Sequence, residues 1–211
     1  MGFDVDKFLN DGYLILEGYY EITTEQLELS DSLMTDYEYK IGRRHVNNNP
    51  STLPLPLRKL VVNKEISSFF NSLESSTIAC RDIMITNEYK SDVMERNRWL
   101  HFDRWRSYKA MVYLSDVGGN SGPFSVVPGT HRLGAKLRRA SSNKPYVHRK
   151  NRIELDYPEY LEKPVKLCGS SGTLILFDSD IFHQGGGVTP DHQRTLIRSH
   201  WYKAGAWREW S

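Results

Sequence analysis

Cysteine is almost missing from this chain: Cys80 and Cys168 are the only two among 211 residues, too few for the disulfide framework of a small secreted fold. Long apolar runs are missing too. No stretch approaches the roughly 20 residues of a membrane span, and the mean hydropathy is −0.56. Excess charge of either sign is slight, with 28 Lys and Arg against 26 Asp and Glu, so neither a nucleic acid nor an anionic membrane is demanded as a partner. The first residues carry Asp4, Asp6 and Lys7 where a secretory leader needs apolar ones. These gaps lead to the expectation of a cytoplasmic protein. No linker composition divides the chain, and its length suits one domain over 1–211.

Periodicity changes partway along. Phe3, Phe8 and Leu9 lie near one helical side, and Asn10-Asp11-Gly12 supplies a stop where glycine can take the left-handed cap. Tyr13–Leu16 reads as a short strand. Thr23 and Gln26 form a capping box that opens a helix through Met34, and Ile66, Phe69, Phe70 and Leu73 predict a second over 65–74. Between them, Pro50, Pro54 and Pro56 predict an extended loop over 47–57. From Thr77 the period falls to two, with Ile78, Ile83, Ile85 and Tyr89 alternating with polar neighbours. Helices over about 1–76 thus precede a β core over about 77–204.

The chemistry-bearing stretch is His101-Phe102-Asp103. In an extended strand His101 and Asp103 project to one side and Phe102 to the other. Later, Gly172–Phe182 reads as two strands with Asp178-Ser179-Asp180 as a tight turn, and the second strand carries His183. Two imidazoles and one carboxylate on one side of a metal form the facial arrangement of non-haem iron(II) oxygenases, with positions left open for substrates. A zinc site or packed polar residues is the plainer alternative.

Together with Asn120-Ser121-Gly122-Pro123, the Pro-Gly-Thr-His element at 128–131, the Gly172–His183 stretch, Arg194, and an opening Phe8–Leu16 of similar pattern, the chain resembles the phytanoyl-CoA dioxygenase family. The resemblance implies a mainly β fold with flanking helices, built on a double-stranded β-helix of the jelly-roll, cupin-like kind. It also implies iron(II) and 2-oxoglutarate as cofactors, dioxygen as co-substrate, and release of succinate and carbon dioxide as a small molecule is hydroxylated. His101, Asp103 and His183 would hold the metal. Arg194 would grip the distal carboxylate of 2-oxoglutarate with its planar fork. Asp103 argues against halogenation, since related halogenating enzymes lack that carboxylate. His131 falls in the structural motif after the turn and is not taken as a ligand.

The remaining polar positions bear on substrate. If strand parity continues past Asp103, Trp105, Lys109, Met111 and Tyr113 face the same interior. A lysine there needs an anion or solvent: Lys109 contacts a carboxylate of 2-oxoglutarate or substrate, or else snorkels to water. The hairpin expected at Gly185-Gly186-Gly187 and Pro190-Asp191 returns Arg194 near His183, and Arg194, Leu196 and Arg198 then share a face. Arg198 is the candidate for an anionic group on the substrate, or for an ion pair with Asp116 or Glu88. Trp105, Tyr113 and Asn87 are the other candidates for the substrate pocket wall. Residues 132–152 hold eight Lys or Arg and no acid, a solvated loop or a basic lid over the site. The alternatives to a small-molecule oxygenase are a nucleic-acid-directed demethylase, suggested by the paired inward arginines and the basic segment but at odds with their spacing of four and supported only by a mild net charge, and a non-catalytic jelly-roll that keeps a metal for structure. Trp207 and Trp210 could form an intersubunit contact; the oligomeric state is not legible here.

Overall fold

The computed structural model describes residues 2–34, 43–90, 98–141 and 153–204. Trp207, Trp210 and the second half of the basic segment lie outside them. The chain opens on α1 (Val5–Asp11), capped by Asp4, whose side chain accepts from the Lys7 amide, and closed by Gly12 at φ 82°. β1 (Tyr13–Leu16) follows, then α2 (Thr24–Met34). The capping box forms reciprocally: the Thr23 amide donates to Gln26 Oε1 at 2.9 Å and the Gln26 amide to Thr23 Oγ1 at 3.3 Å.

The proline-rich stretch departs from expectation. Residues 43–48 form β2 (Arg43–Asn48) and 55–61 form α3 (Leu55–Val61). Pro54 and Pro56 sit at the N-cap and first turn of α3, where the missing amide costs nothing, so proline starts this helix instead of forbidding it. The amphipathic α4 (Lys64–Ser72) forms as its spacing predicts. Its Asn63 cap accepts from the Ile66 amide, while Ile66, Phe69 and Phe70 are buried.

The β region supplies β3 (Ile78–Tyr89), β4 (Tyr108–Tyr113), β5 (Phe124–Val127), β6 (Val165–Leu167), β7 (Leu174–Asp178), β8 (Phe182–Gly185) and β9 (Gln193–Lys203). They build a six-stranded sheet in the order β1-β7-β4-β9-β3-β2 and a three-stranded sheet β6-β5-β8. The N-terminal part is therefore not only helical, because β1 and β2 close the two edges of the larger sheet. Every paired strand is antiparallel, and the two packed sheets make the jelly-roll core expected from the sequence. The Gly185–Asp191 stretch is a crossing between sheets rather than a hairpin, since β8 pairs with β5 while β9 lies between β3 and β4.

Two apolar layers result. On the helix side, Phe8, Leu57, Phe69 and Phe70 meet Ile85, Val112, Leu176, Ile197 and Trp201. Between the sheets, Met111, Tyr113, Phe124, Val126, Ile175, Phe177 and Leu196 pack together. Ile78 and Ile83 are five apart and both join the helix-side layer, which strict alternation forbids; a register shift between Cys80 and Asp82 reverses the parity between them.

Residues 131–141 form a further helix, α5 (His131–Ser141), where a loop is expected, and a short α6 (Ile153–Asp156) follows. His131, at the start of α5, packs against Gly12, where an added Cβ would lie 2.6 Å from its Nδ1. Arg138 of α5 is bound to buried Asp180 through Nε at 2.6 Å and a second nitrogen at 3.0 Å. Gly134 allows this docking, because a Cβ there would stand 1.8 Å from the Asp180 carbonyl oxygen. Gly134→Ala is expected to cost about 2–3 kcal/mol by prying α5 off the Asp178–Asp180 corner, read as a lowered urea midpoint.

Candidate metal and co-substrate site

The corner between β7 and β8 is built from buried polar groups that hold one another. Asp178 Oδ1 accepts from the Asp180 amide at 3.0 Å, and Ser179 Oγ accepts from the Ser107 amide at 2.8 Å. The Ser179 carbonyl accepts from the Asp103 amide at 2.9 Å, and Arg106 binds Asp178 at 2.9 Å. The loop carrying Asp103 is thereby tied to the turn that precedes His183.

His101 and His183 are paired by backbone. The His101 amide donates to the His183 carbonyl at 2.9 Å, and the His183 amide donates back at 2.7 Å. Their rings lie 4.4 Å apart, and Phe124 and Phe177 pack on His183, each at 5.6 Å. In each histidine Nδ1 faces a backbone carbonyl, Trp99 O at 2.6 Å and Ile181 O at 2.7 Å. A hydrogen on Nδ1 satisfies those bonds and leaves Nε2 a bare donor atom for a cation. Asp103 Oδ1 lies 3.6 Å from His183 Nε2 and 4.0 Å from His101 Nε2. Ligating atoms of the three side chains all lie within 4.8 Å of one another, the one such group of three or more among the described residues.

Charge follows this geometry. Burial pushes His101 down to about 3, aided by neighbouring His183 and opposed by Asp103; its imidazole is neutral at ordinary pH, as a metal ligand must be. Burial works against ionised Asp103, but the Lys109 ammonium outweighs it and holds the carboxyl well below its usual range. Lys109 Nζ sits 2.5 Å from Asp103 Oδ2, so one carboxylate oxygen meets the ammonium while the other faces the imidazoles. Lys109 does not snorkel: it is buried, has Asp103 as its counter-ion and contributes to the cavity wall.

On β9, His200 is likewise pushed down to about 4, mainly by burial and against its bond with Asp82. Both depressed histidines bind protons more readily once unfolded. Stability is therefore expected in full above about 6.5, the ordinary histidine value, and to be lost as pH falls toward 4 and then 3. Melting temperatures across that window check this, and His200→Gln should flatten part of the slope.

A cavity of about 240 Å³ opens on the triad. Its wall includes Met84, Thr86 and Glu88 of β3, Lys109 and Met111 of β4, Phe124, and Arg194, Leu196 and Arg198 of β9. The shared face expected of Arg194, Leu196 and Arg198 is thus realised, while Ser199 and Trp201 turn to the helices, Ser199 donating to Val61 O at 2.9 Å. Arg194 is buried; one terminal nitrogen donates to Gly122 O and the other to Glu88. Its Nε is buried with no hydrogen-bond partner. Glu88 thus pairs with Arg194, and Arg198 meets Met84 Sδ at 3.5 Å.

Three expected pocket residues lie elsewhere. Trp105 is 40% exposed, on the irregular 102–107 loop between the His101 bridge and β4, where strand parity does not hold, with Arg104 over its ring at 4.7 Å. Tyr113 is fully buried as a tie between sheets, its hydroxyl donating to Leu167 O at 2.8 Å and accepting from the Phe124 amide at 3.1 Å. Asn87, between Thr86 and Glu88, faces the opposite side of β3. Thr86, Ser179 and the Arg106–Asp178 pair were missed as site-building residues, and Glu88 was expected only as a partner of Arg198. Alternation from Ile83 and Ile85 could have assigned Thr86 and Glu88 to the cavity face.

The donor set suits a ferrous ion, and the orphaned Nε and charged fork of Arg194 suit a carboxylate beside it. Comparison with known proteins agrees at the level of fold and family. Sequence comparison with curated proteins gives no match. Among solved structures, the epimerase SnoN in complex with Fe3+, alpha ketoglutarate and nogalamycin RO aligns with a TM-score of 0.71 at 16% identity, over 95% of this chain and 82% of that one. The carbocyclase SnoK from nogalamycin biosynthesis aligns at 0.66 and 19%, over 95% and 83%. HygX from Streptomyces hygroscopicus with nickel, 2-oxoglutarate and hygromycin B aligns at 0.63 and 14%, over 94% and 85%. The profile of the phytanoyl-CoA dioxygenase (PhyH) family matches residues 43–196, well over half the chain. The chain therefore belongs to the phytanoyl-CoA dioxygenase family, and with it to the iron(II)- and 2-oxoglutarate-dependent oxygenases.

Proposed function

We propose that residues 1–211 act as one oxygenase domain that oxidises a small, anionic metabolite at the cavity beside His101, Asp103 and His183. The observation that carries this reading is the convergence of those three side chains next to an inward arginine with an unused donor. His101 and His183 would present Nε2 to the ion, and Asp103 its Oδ1. Bound there, ferrous iron supplies the dioxygen activation that couples decarboxylation of 2-oxoglutarate to oxidation of substrate. Arg194 orients the distal carboxylate of the co-substrate. Met111, Phe124, Phe177 and Leu196 keep water from the reacting end.

Anionic character is supported by charge. Lys109, Arg194 and Arg198 face the cavity against the two carboxylates Asp103 and Glu88. A divalent ion and a dianionic co-substrate cancel, so the cations on this wall favour an anionic group on the substrate. SnoN and HygX were solved with nogalamycin RO and hygromycin B respectively, which supports a small molecule rather than a nucleic acid. The cytoplasm is retained as the proposed location; no described helix is long and apolar enough to cross a membrane.

The deciding experiment gives the purified apoprotein ferrous iron and 2-oxoglutarate, then zinc in place of iron. Succinate and carbon dioxide should form with iron alone, and carboxylated or phosphorylated metabolites should stimulate release. Turnover equal with zinc, or none with iron, refutes the reading. Once a substrate is found, Arg198→Ala is expected to raise its KM about tenfold or more, the scale of one charge-assisted hydrogen bond, with a smaller effect on KM for 2-oxoglutarate.

A further inference from the structure

A second cavity, of about 470 Å³, lies on the other face of the larger sheet, between α2 and the ends of β3 and β9. Asn87 and Thr195, directly paired across those strands, form part of its floor. Their neighbours in the register, Glu88 and Arg194, point into the oxygenase cavity. The two cavities are back to back, with one sheet between them.

The wall of this second cavity is polar, with hydroxyls and amides, and its charged groups are acidic. Asp31 projects from α2, and Asp116 from the turn after β4, where its Oδ1 accepts from the Ser171 amide at 2.8 Å. Among the described residues, no Lys, Arg or His lines it. Two buried polar atoms there are unused: Asn87 is 4% exposed and Ser30 1%, and neither Asn87 Oδ1 nor Ser30 Oγ has a hydrogen-bond partner. A buried acceptor without a donor costs free energy that a ligand bearing N–H groups recovers. Leu27 and Leu114 add an apolar side.

We infer that this cavity binds a small organic ammonium ion, a protonated primary amine on a short aliphatic stem. The N–H groups would meet Asn87 Oδ1 and Ser30 Oγ, the charge would sit between Asp31 and Asp116, and the stem would lie on the leucines. A hard metal ion fits less well. Among the described residues only the His101, Asp103 and His183 group brings three ligating side chains together, and divalent ions of this kind require more oxygen ligands than two carboxylates supply. The inference does not depend on the oxygenase reading.

Putrescine, titrated calorimetrically into the full-length apoprotein at low ionic strength, tests it, with calcium chloride titrated in parallel. Saturable one-to-one heat is expected from putrescine and a smaller or absent heat from calcium. Asp31 and Asp116 are both exposed, so Asp31→Asn and Asp116→Asn should leave the fold intact and weaken putrescine each by about fivefold, a surface-charge effect of about 1 kcal/mol. Asn87→Leu should abolish binding while leaving the melting temperature unchanged or raised, because it removes an unsatisfied buried amide. No saturable putrescine heat, an affinity unchanged when Asp31→Asn and Asp116→Asn are combined, heat that survives Asn87→Leu, or calcium binding equal to that of putrescine would each overturn the assignment.

Discussion

Asp103→Ala is expected to abolish turnover of 2-oxoglutarate and, separately, to destabilise the metal-free protein. The first loss follows if the carboxylate is one of three ligands. Removing even an outer partner of a metal ligand costs about 10–100-fold, so losing the ligand itself should lower iron affinity by at least that much. The second loss follows from Lys109, whose ammonium is buried with Asp103 Oδ2 2.5 Å away. Deleting the acid strands a buried cation. Breaking such pairs costs about 3–5 kcal/mol, and because the Asp103 side chain is a quarter exposed into the cavity, about 2–3 kcal/mol is expected, seen as a lower urea midpoint of the apoprotein. Adding Lys109→Met should restore much of that stability and none of the activity. If Asp103→Ala keeps normal iron affinity, the carboxylate is not a ligand; if Lys109→Met rescues nothing, the pair does not carry the stability.

Arg194→Gln is expected to raise KM for 2-oxoglutarate by about 10²–10³-fold, the loss of two charge-assisted hydrogen bonds at about 1.5–3 kcal/mol each with some solvent compensation. At saturating co-substrate kcat should fall far less, because the contact is made equally in ground and transition states. Glu88 adds a sharper test. Its carboxylate already holds one arm of the Arg194 guanidinium, and an incoming dianion must share that arm or displace it. Glu88→Gln should therefore lower KM for 2-oxoglutarate. Direct measurement of 2-oxoglutarate binding to the apoprotein gives the same comparison free of chemistry, and an unchanged or weaker affinity in Glu88→Gln would rule out competition between the two carboxylates.

Local signals spoke where one short-range rule governed the outcome. The capping box at Thr23, the left-handed stop at Gly12 and the apolar face around Phe69 are each settled within a few residues, and each formed. Alternation placed Arg194, Leu196 and Arg198 on one face, and the juxtaposition of His101, Asp103 and His183 followed from the family pattern. What escaped depended on contacts far along the chain or on a broken period. The parity carried from Asp103 to Trp105 failed because residues 102–107 are irregular, with Ser107 and Arg106 held by Ser179 and Asp178, each 72 positions away. Proline read as a breaker became a helix start at Pro54 and Pro56. Basic residues read as a loop became α5, since Gly134 and Arg138 find a buried acid at Asp180 that nothing nearby in the chain announces. Glu88 as the partner of Arg194, 106 positions off, is the same kind of cross-strand fact.

The reciprocal amide bonds between His101 and His183 divide the three side chains into two kinds. Both imidazoles are mounted on a single closed ring of backbone, so emptying the centre does not scatter them, and refilling it demands little ordering. The acid stands outside that ring, on a loop whose tether is the Ser179 carbonyl. Were these three side chains to hold the proposed ion, its release would turn on that loop, and changes to Lys109 should alter how fast iron leaves while the histidine pair stays in place.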